Sequence, residues 1–452
     1  MKYTLTILEE HLERLQAATF SLPDCEGAAY LVCGESVTDH ETRLLVSDVI
    51  SVRDEHYLVR EPLRLSIKSD SYVSAAKAAL GQKRSLVFAH SHPGGFPDFS
   101  EQDDAEEPNL VRFFDRRVPG KTHGSLVLVA RDGLRARVWV GGGWVAIERI
   151  RVVGTGFRFF DHTAGQKPPP EFFDRQVRAF GKDIQGLLGR LHIGVVGVGG
   201  TGSATIEQLV RLGVGTVSIF DHDTFEATNV NRVYGSTSTD GGRLKVEISE
   251  GHIAQIGVGT RLLRFGSISD EDIAKNLRDC DLVFGCTDNQ APRGILVQLA
   301  IRYLIPLIDM GVLVDSHDGV LRGVDGRVTT FYPGEACLFC RNRISAKTIQ
   351  QESLPRSERD ALAREGYAPE LQDRAPAVIP FTTAVASQAV TELLHRLTGF
   401  MGRERKATEV LMFFHESKNR LNRIPSGEDC LCSQRQLWGR GDGRDFLGLS
   451  WG

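Results

Sequence analysis

The sequence predicts an α/β protein with two domains. The first is a mixed α+β domain, and the second is a doubly wound domain with a largely parallel sheet. Strand-like runs dominate the chain before residue 156, whereas after residue 172 apolar strands alternate with helical runs. Residues 156–172 contain the prolines Pro168 to Pro170, which neither a helix interior nor a central strand accommodates. We therefore predict domains at 1–155 and 173–432, joined by a linker at 156–172.

Local patterns predict the elements in order. In the first domain, the strands are "RLLVSDVISV", "RSLVFAH", "GSLVLVAR" and "ARVWVGGGWVAI", and "SDSYVSAAKAALGQ" is a helix capped by a serine or an aspartate. In the second, "HIGVVGVGG", "TVSIFDHD", "DLVFGCTDN" and "IPLIDMGV" are strands and "GSATIEQLVRLG" is a helix. The tail at 433–452 is polar and glycine-rich, and is either disordered or anchored by its two tryptophans.

Bulk composition excludes several classes of protein. The 452 residues, 41% apolar and 25% charged, are typical of a soluble globular chain. A net charge of −4 without a large basic block argues against nucleic acid as a partner. Acidic residues interrupt the apolar start and no run of 18 uncharged apolar residues occurs, so we expect no signal peptide, no membrane span and a cytoplasmic protein. Eight cysteines are too sparse for a disulfide framework.

A candidate metal site lies in "HSHPGGFPDFSEQD". His90 and His92 end a predicted strand and, being two residues apart, point to the same side of it. Asp103 follows at the start of a predicted helix. Two imidazoles and one carboxylate leave a fourth zinc position for water, the arrangement of a catalytic zinc. Ser100 would cap the helix or donate to a developing oxyanion.

This spacing, H-x-H-P, six residues and S-x-x-D, resembles the JAMM/MPN (JAB) zinc isopeptidases, which cleave the bond after a ubiquitin-like C-terminus. The matching residues are His90, His92, Pro93, Ser100 and Asp103. The resemblance implies a catalytic zinc held by the two histidines and the aspartate, and an upstream glutamate that activates its water. Glu26 is the best match, because it opens an apolar strand, and Glu35 is the competitor.

A candidate nucleotide site begins at "VVGVGGTGS". Between a predicted strand and a predicted helix stand the glycines Gly197, Gly199, Gly200 and Gly202, which would let the backbone approach a phosphate. Dehydrogenases share this signal, and an acid after the next strand, Asp221 or Asp223, would hold a ribose in either class. The later Arg232, Lys245 and Asp288 favour triphosphate cleavage with magnesium over a nicotinamide site.

These motifs, with "DHDTFEATNVNR", "IPLIDMGV" and "YPGEACLFC", resemble the ThiF/MoeB-like adenylyltransferases, the family of ubiquitin-activating enzymes, over about residues 170–432. The resemblance implies a Rossmann-like fold, ATP and magnesium. The resemblance implies that Asp223 binds the ribose and that Asp288 holds magnesium. It also implies that Asn289 binds the nucleotide and that the phosphates are bound by Asn229, Arg232 and Lys245. Arg175 matches the arginine that reaches into a partner's active site, which implies a homodimer.

The cysteines divide into two groups. Cys337 and Cys340 form a CxxC, and Cys430 and Cys432 form a CxC where the family usually has a second CxxC. Four thiolates would hold a structural zinc. The remaining cysteines are predicted to be small buried residues: Cys25, Cys33, Cys280 and Cys286. Many relatives carry a catalytic cysteine between the CxxC and the next helix, but residues 341–429 contain none. We therefore predict that the chain stops at the acyl-adenylate.

Both halves would act on one substrate, the C-terminus of a ubiquitin-like protein, as in bacterial ubiquitin-like conjugation operons, including antiviral ones. One half would adenylate the carboxylate with ATP, and the other would process a precursor or release the modifier. A separate conjugating enzyme or sulfur donor would take the product. The alternatives are activation of a sulfur carrier for cofactor or amino-acid synthesis, and a non-catalytic scaffold that binds a ubiquitin-like protein. A nicotinamide dehydrogenase is a more distant alternative.

Overall fold

The computed structural model of the chain describes residues 1–129, 133–162, 168–355, 357–359, 376–442, 445–449 and 451. The chain forms two compact units. The first comprises Met1–Gly165, Arg302–Leu304 and Arg435–Arg444, and the second comprises Gln166–Ile301, Ile305–Gln434 and Asp445–Gly452. Among the described helices, none combines the length and the apolar character that crossing a bilayer requires.

The described residues of the first unit form a nine-stranded mixed sheet and three α-helices. The strand order is β11-β10-β1-β3-β2-β6-β7-β8-β9, and β4 and β5 form a separate hairpin. The strands are β1 Lys2–Leu8, β2 Ala28–Val37, β3 Glu41–Ser51, β4 Tyr57–Glu61, β5 Arg64–Ile67, β6 Ser85–His92, β7 Gly124–Val129, β8 Gly133–Val140, β9 Gly143–Ala146, β10 Arg149–Val153 and β11 Phe157–Asp161. The helices are α1 Glu9–Thr19, α2 Ser69–Gln82 and α3 Glu101–Arg117.

This sheet is covered on both faces. Along β6, Val87 and Ala89 belong to a core cluster that also contains Leu12 and Leu15 of α1. Their neighbours Leu86 and Phe88 belong to a second cluster, with residues of α2 and α3. Because side chains alternate along a strand, the even-numbered positions of β6 all face α2 and α3. His90 and His92 therefore project toward the α3 side of the sheet.

Two strand predictions need correction. The run "ARVWVGGGWVAI" is not one strand but the hairpin β8–β9, since Gly141 and Gly142 adopt the positive φ values of 60° and 88°. β11 lies inside the predicted linker 156–172 and pairs antiparallel with β10. The first unit thus continues to at least Asp161, beyond the predicted boundary at residue 155.

Two further expectations are decided by the structure. The predicted serine or aspartate cap of α2 is wrong, because the helix begins after Lys68, whose side chain carries no acceptor oxygen. In the tail at 433–452, Trp438 is 2% exposed and its ring lies 6.2 Å from that of His11. This tryptophan anchors residues 435–442 in the first unit, which corrects the disordered alternative for that part of the tail.

The second unit contains an eight-stranded sheet in the order β14-β13-β12-β15-β16-β17-β18-β19. The strands are β12 His192–Val196, β13 Thr216–Phe220, β14 Arg261–Phe265, β15 Leu282–Gly285, β16 Leu307–His317, β17 Val320–Phe331, β18 Glu409–Phe413 and β19 Lys418–Asn422. The helices are α4 Asp174–Leu188, α5 Gly200–Arg211, α6 Lys245–Ile256, α7 Glu271–Ala274, α8 Gln290–Tyr303, α9 Ala346–Glu352 and α10 Ile379–Thr398. β12 to β16 are parallel, whereas β17 to β19 pair antiparallel.

The parallel part of this sheet creates a ligand crevice. β12 is flanked by β13 on one side and by β15 on the other. The chain thus moves away from β12 in opposite directions, and such a topological switch point leaves a crevice at the carboxyl ends of the strands. The glycine loop after β12 and the loop after β15 meet at this edge.

Candidate functional site

The predicted metal ligands of the first unit converge. Nε2 of His90 lies 3.1 Å from Nε2 of His92 and 3.2 Å from Oδ1 of Asp103, and Nε2 of His92 lies 3.5 Å from Oδ2 of Asp103. Burial alone would raise the pKa of Asp103, but hydrogen bonds from the two histidines hold it well below its ordinary value. Two imidazole nitrogens and a carboxylate oxygen in mutual contact form a donor set that fits zinc.

Ser100 holds the aspartate in place. It is the N-cap of α3, where its hydroxyl accepts from the Asp103 amide at 3.2 Å and its own amide donates to Oδ2 of Asp103 at 2.6 Å. The hydroxyl also lies 2.8 Å from the same Oδ2. This reciprocal capping box orients the carboxylate at the first turn of the helix.

Strand pairing brings Glu26 to the cluster. β2 pairs antiparallel with β6, with Ala28 opposite His90, and a backbone bond from Ser91 to Gly27 continues the pairing. Two residues before Ala28, the same register sets Glu26 opposite His92. Glu26 is 8% exposed, and burial raises its pKa against the lowering effect of the two histidines. A buried carboxylate with a raised pKa beside a metal-ligand set has the properties of a general base.

The competitor Glu35 lies elsewhere. It is near the opposite end of β6, where it accepts from Ser85 at 2.7 Å, from Lys121 at 2.9 Å and from the amide of Thr122 at 2.6 Å. Ser85 and His92 are seven residues apart on the strand, which corresponds to about 23 Å. These three donors give Glu35 a structural role in joining β2 to the segment before β7.

Glu107 and Arg137 complete the surroundings of the metal cluster, and both were missed by the sequence reasoning. Oε1 of Glu107 lies 3.4 Å from Nδ1 of His90, and its Oε2 accepts from Arg137 at 2.6 Å. Nδ1 of His92 lies 3.2 Å from the backbone oxygen of Phe96. Glu107 follows Asp103 by four residues on a helix, and this spacing was the signal available in the sequence.

The glycine loop of the second unit is shaped for a close backbone approach. Gly197 has a φ of 92°, and a Cβ there would lie 2.6 Å from the backbone oxygen of Cys286. A Cβ on Gly202 would lie 1.9 Å from the oxygen of Gly197. Gly199 is the N-cap of α5, and a side chain there would enter open space. The loop therefore presents a helix N-terminus to the crevice without side chains in the way.

The acids after β13 have different surroundings. Oδ2 of Asp221 accepts from the amide of Val198 at 2.7 Å, so this residue braces the glycine loop, and burial raises its pKa. Asp223 is exposed and its Oδ2 accepts from Lys245 at 2.7 Å. Asp223 is thus the accessible acid at this edge, and Lys245 is directed to the same place.

The predicted phosphate-binding residues are brought together only in part. Arg232 approaches the start of α5, since a Cβ on Gly200 would lie 3.4 Å from its Cδ. Asn229 is buried, and its Oδ1 accepts from the amide of Glu226 at 3.1 Å in a capping box. In this structure Asn229 therefore shapes the loop that carries Arg232. Asp288 and Asn289 are exposed between β15 and α8, and Arg175 is exposed on α4.

The four predicted structural ligands also converge. Sγ of Cys337 lies 3.9 Å from that of Cys340 and 3.5 Å from that of Cys430, and Cys340 lies 3.5 Å from Cys432. The amide of Gly427 donates to Cys340 at 3.2 Å. A CxC is thus geometrically able to replace a CxxC here, and four thiolates at these distances fit a tetrahedral zinc site.

The second unit is an α/β fold with a topological switch point at β12, and its sequence was compared with known proteins. Residues 173–434, more than half of the chain, match the model of the ThiF family, and the chain belongs to that family.

Three relatives illustrate the similarity. The adenylyltransferase and sulfurtransferase UBA4 of Meyerozyma guilliermondii is 32% identical over 148 residues, which are 32% of this chain and 33% of that protein. The molybdopterin-synthase adenylyltransferase of Escherichia coli K12 is 28% identical over 177 residues, 38% of this chain and 68% of the relative. Ubiquitin-like modifier-activating enzyme 5 of Oryza sativa subsp. japonica is 28% identical over 185 residues, 36% of this chain and 42% of the relative. The chain therefore matches only part of each relative.

The two ligand clusters lead to a prediction about metal content. Full-length protein prepared with zinc should contain about two equivalents, one for each cluster. The double variants His90→Ala/His92→Ala and Cys430→Ser/Cys432→Ser should each contain about one, because each removes two ligands of a single cluster. Elemental analysis of the folded proteins measures this. The exposed His317→Ala serves as the control and should retain both equivalents. A wild-type chain with fewer than two would contradict the assignment.

Proposed function

We propose that this chain is a bifunctional enzyme that acts on the C-terminus of a ubiquitin-like protein. The second unit would adenylate the C-terminal carboxylate with ATP, and the first would hydrolyse the peptide or isopeptide bond that follows such a C-terminus. Membership of the ThiF family supports the first activity. The convergence of His90, His92 and Asp103 next to Glu26 carries the second.

In the adenylation step, a carboxylate oxygen of the substrate would attack the α-phosphorus of ATP. The bond from that phosphorus to the bridging oxygen breaks, and pyrophosphate leaves. The glycine loop would hold the phosphates at the start of α5, and the cations Arg232 and Lys245 would compensate their charge. Asp223 would bind the ribose, and Asp288 would hold magnesium, which would supply positive charge to the phosphates.

In the hydrolytic step, water adds to the carbonyl carbon, the C–N bond breaks, and the leaving amine takes up a proton. Zinc at this site would lower the pKa of water and polarise the carbonyl. Glu26 would accept the proton from water and deliver it to the amine, and its buried position keeps the proton within the site. Ser100 would remain the residue that orients Asp103, since its hydroxyl donates to Oδ2 of that aspartate at 2.8 Å. The hydroxyl would donate to an oxyanion only after releasing this hydrogen bond.

A sulfur-carrier substrate is the second candidate for the adenylation. One relative is named an adenylyltransferase and sulfurtransferase, one a molybdopterin-synthase adenylyltransferase, and one a ubiquitin-like modifier-activating enzyme. Both substrates end in a carboxylate that is adenylated in the same way. Formation of a thiocarboxylate in the presence of a sulfur donor would favour the sulfur-carrier substrate.

The proposal is tested by two assays on the full chain. A panel of ubiquitin-like and sulfur-carrier proteins would be screened for ATP–pyrophosphate exchange and, as C-terminal fusions, for cleavage at the junction. We expect one class of carrier to support both activities. Absence of exchange with every carrier would reject the adenylation, and absence of cleavage in the zinc-loaded chain would reject the hydrolysis.

The cysteine distribution predicts that no covalent thioester forms. Cys337 and Cys340 lie within the cluster of four, and Cys286 is buried, with a pKa raised mainly by desolvation. A thiolate bound to zinc is a poor nucleophile, and a buried thiol has little thiolate. With the carrier and magnesium-ATP, a non-reducing gel should show no reductant-sensitive adduct. An adduct that disappears in a single-cysteine variant would show that this cysteine is a nucleophile.

We further propose that the second unit works as a homodimer, with Arg175 acting on the partner's nucleotide. The exposure of this arginine on α4 is compatible with that role. Arg175→Ala should lower ATP–pyrophosphate exchange about 100-fold, the effect of losing one transition-state cation, without dissociating the dimer. The neighbouring Arg178→Ala, whose side chain pairs with Asp174 on the same helix, is the control. The proposal would be contradicted if sedimentation showed a monomer at a concentration at which exchange is fully active.

A further inference from the structure

We propose that Glu107, held by Arg137, is a positioning residue that orients His90 and thereby sets the metal affinity of the first unit. This inference rests on the zinc site described above, but it concerns residues outside the H-x-H and S-x-x-D pattern.

The first observation is the placement of the Glu107 carboxylate. Asp103 and Glu107 are four residues apart on α3, so both project toward the end of β6. Oε1 of Glu107 lies 3.4 Å from Nδ1 of His90, while Nε2 of the same ring faces Asp103 at 3.2 Å. Glu107 and His90 are both buried, with exposed fractions of 5% and 1%. The two nitrogens of one imidazole are therefore opposed by two different carboxylates from a single helix.

Arg137 holds the side of the Glu107 carboxylate that faces away from His90. Arg137 of β8 donates to its Oε2 at 2.6 Å and, through its other terminal nitrogen, to Asp104. The guanidinium carbon lies close to two aromatic rings, 3.7 Å from the centroid of Phe99 and 4.1 Å from that of Trp144. A guanidinium packed against two rings and hydrogen-bonded through both terminal nitrogens has little freedom. It pins one oxygen of Glu107 and leaves the other for His90.

The chemical consequence concerns the imidazole proton. A neutral imidazole carries one proton, and the negative charge of a carboxylate 3.4 Å from Nδ1 favours the proton at that nitrogen, although the two atoms are not aligned as a hydrogen bond. The lone pair of Nε2 then faces the Nε2 atom of His92 and the Asp103 carboxylate, which is the tautomer that a metal ligand requires. Within the described part of the chain, the partner of Nδ1 of His92 is the uncharged backbone oxygen of Phe96, at 3.2 Å. His90 is therefore the ligand whose basicity depends on a charged neighbour.

Glu107→Gln tests the inference, because it keeps the size of the side chain but removes its charge. The matched control is Asp104→Asn, which removes a carboxylate that also pairs with Arg137 but is exposed. The zinc affinity of the full chain would be measured by competition with a chromophoric chelator, following the equivalent that is lost in His90→Ala/His92→Ala. We expect Glu107→Gln to weaken this affinity about 10- to 100-fold, as the loss of a group that orients a metal-binding histidine commonly does. Asp104→Asn should stay close to the wild type.

The outcomes separate this inference from the proposed function. A wild-type chain without zinc at the His90 cluster would overturn both. Zinc in the wild type with equal affinity in Glu107→Gln would overturn the positioning role alone. If circular dichroism shows that Glu107→Gln does not fold, Glu107→Asp is used instead. This variant keeps the charge but moves it away from His90 by one methylene group. A weakened affinity in Glu107→Asp supports the role, and an unchanged affinity overturns it.

Discussion

Replacing Arg232 with alanine is expected to lower the rate of ATP–pyrophosphate exchange about 100- to 1,000-fold. The aliphatic part of this side chain lies against the start of α5, at Gly200, and its guanidinium donates to the backbone oxygen of Thr228 at 2.6 Å. The charge is therefore held beside the glycine loop before substrate binds. Losing one preorganised donor from a site where charge develops commonly costs this much. The exchange rate at saturating ATP, with a carrier protein that supports the reaction, is the measurement.

Arg211→Ala is the matched control for this prediction. Arg211 is the last residue of α5 and is exposed, where it pairs with Glu207 at 2.6 Å. The helix has 12 residues, which place it about 17 Å from the glycine loop. Its removal changes the net charge by the same amount as Arg232→Ala but should leave exchange unchanged. Equal losses in the two variants would mean that Arg232 acts through net charge or stability instead of at the phosphates.

Replacing Glu26 with glutamine should lower hydrolysis of a carrier-peptide fusion about 100- to 10,000-fold while the zinc content stays unchanged. Glutamine is nearly isosteric but cannot accept the proton of water, and this range is what general acid–base catalysis contributes. Glu26 is outside the mutual contacts of His90, His92 and Asp103, so the ligands remain in place. Turnover and zinc content would be measured on the same preparation.

Glu35→Gln distinguishes the two candidate glutamates. Burial alone would raise the pKa of Glu35. Three hydrogen bonds to its carboxylate and the positive charge of Lys121 instead hold this pKa below its ordinary value. Glu35→Gln should therefore reduce thermal stability, because it removes the charge that pairs with Lys121, and keep the turnover of the folded enzyme. Loss of turnover in Glu35→Gln together with retained turnover in Glu26→Gln would reverse the assignment.

Short-range sequence patterns predicted the metal-ligand cluster and the glycine loop. The H-x-H and S-x-x-D spacing identified three groups that converge, because a strand end and the first turn of a helix orient side chains locally. The strand–glycine–helix pattern likewise predicted the loop after β12 and its helix, and the ThiF match covers that region. The antiparallel β17 to β19 were not predicted, since pairing partners are chosen by contacts distant in sequence.

By itself, then, the sequence determined which residue types stand at the strand ends and helix starts, and so the candidate chemistry of both units. Only the tertiary structure decided which glutamate reaches the histidines. Glu26 precedes β2 by two residues and Glu35 lies near the other end of β2, and the register of β2 on β6 brings Glu26 toward His92 and Glu35 to Ser85. The tertiary structure alone also brought Arg137 to Glu107 and joined two cysteine pairs that are about 90 residues apart. Contacts between such distant segments depend on how the whole sheet packs.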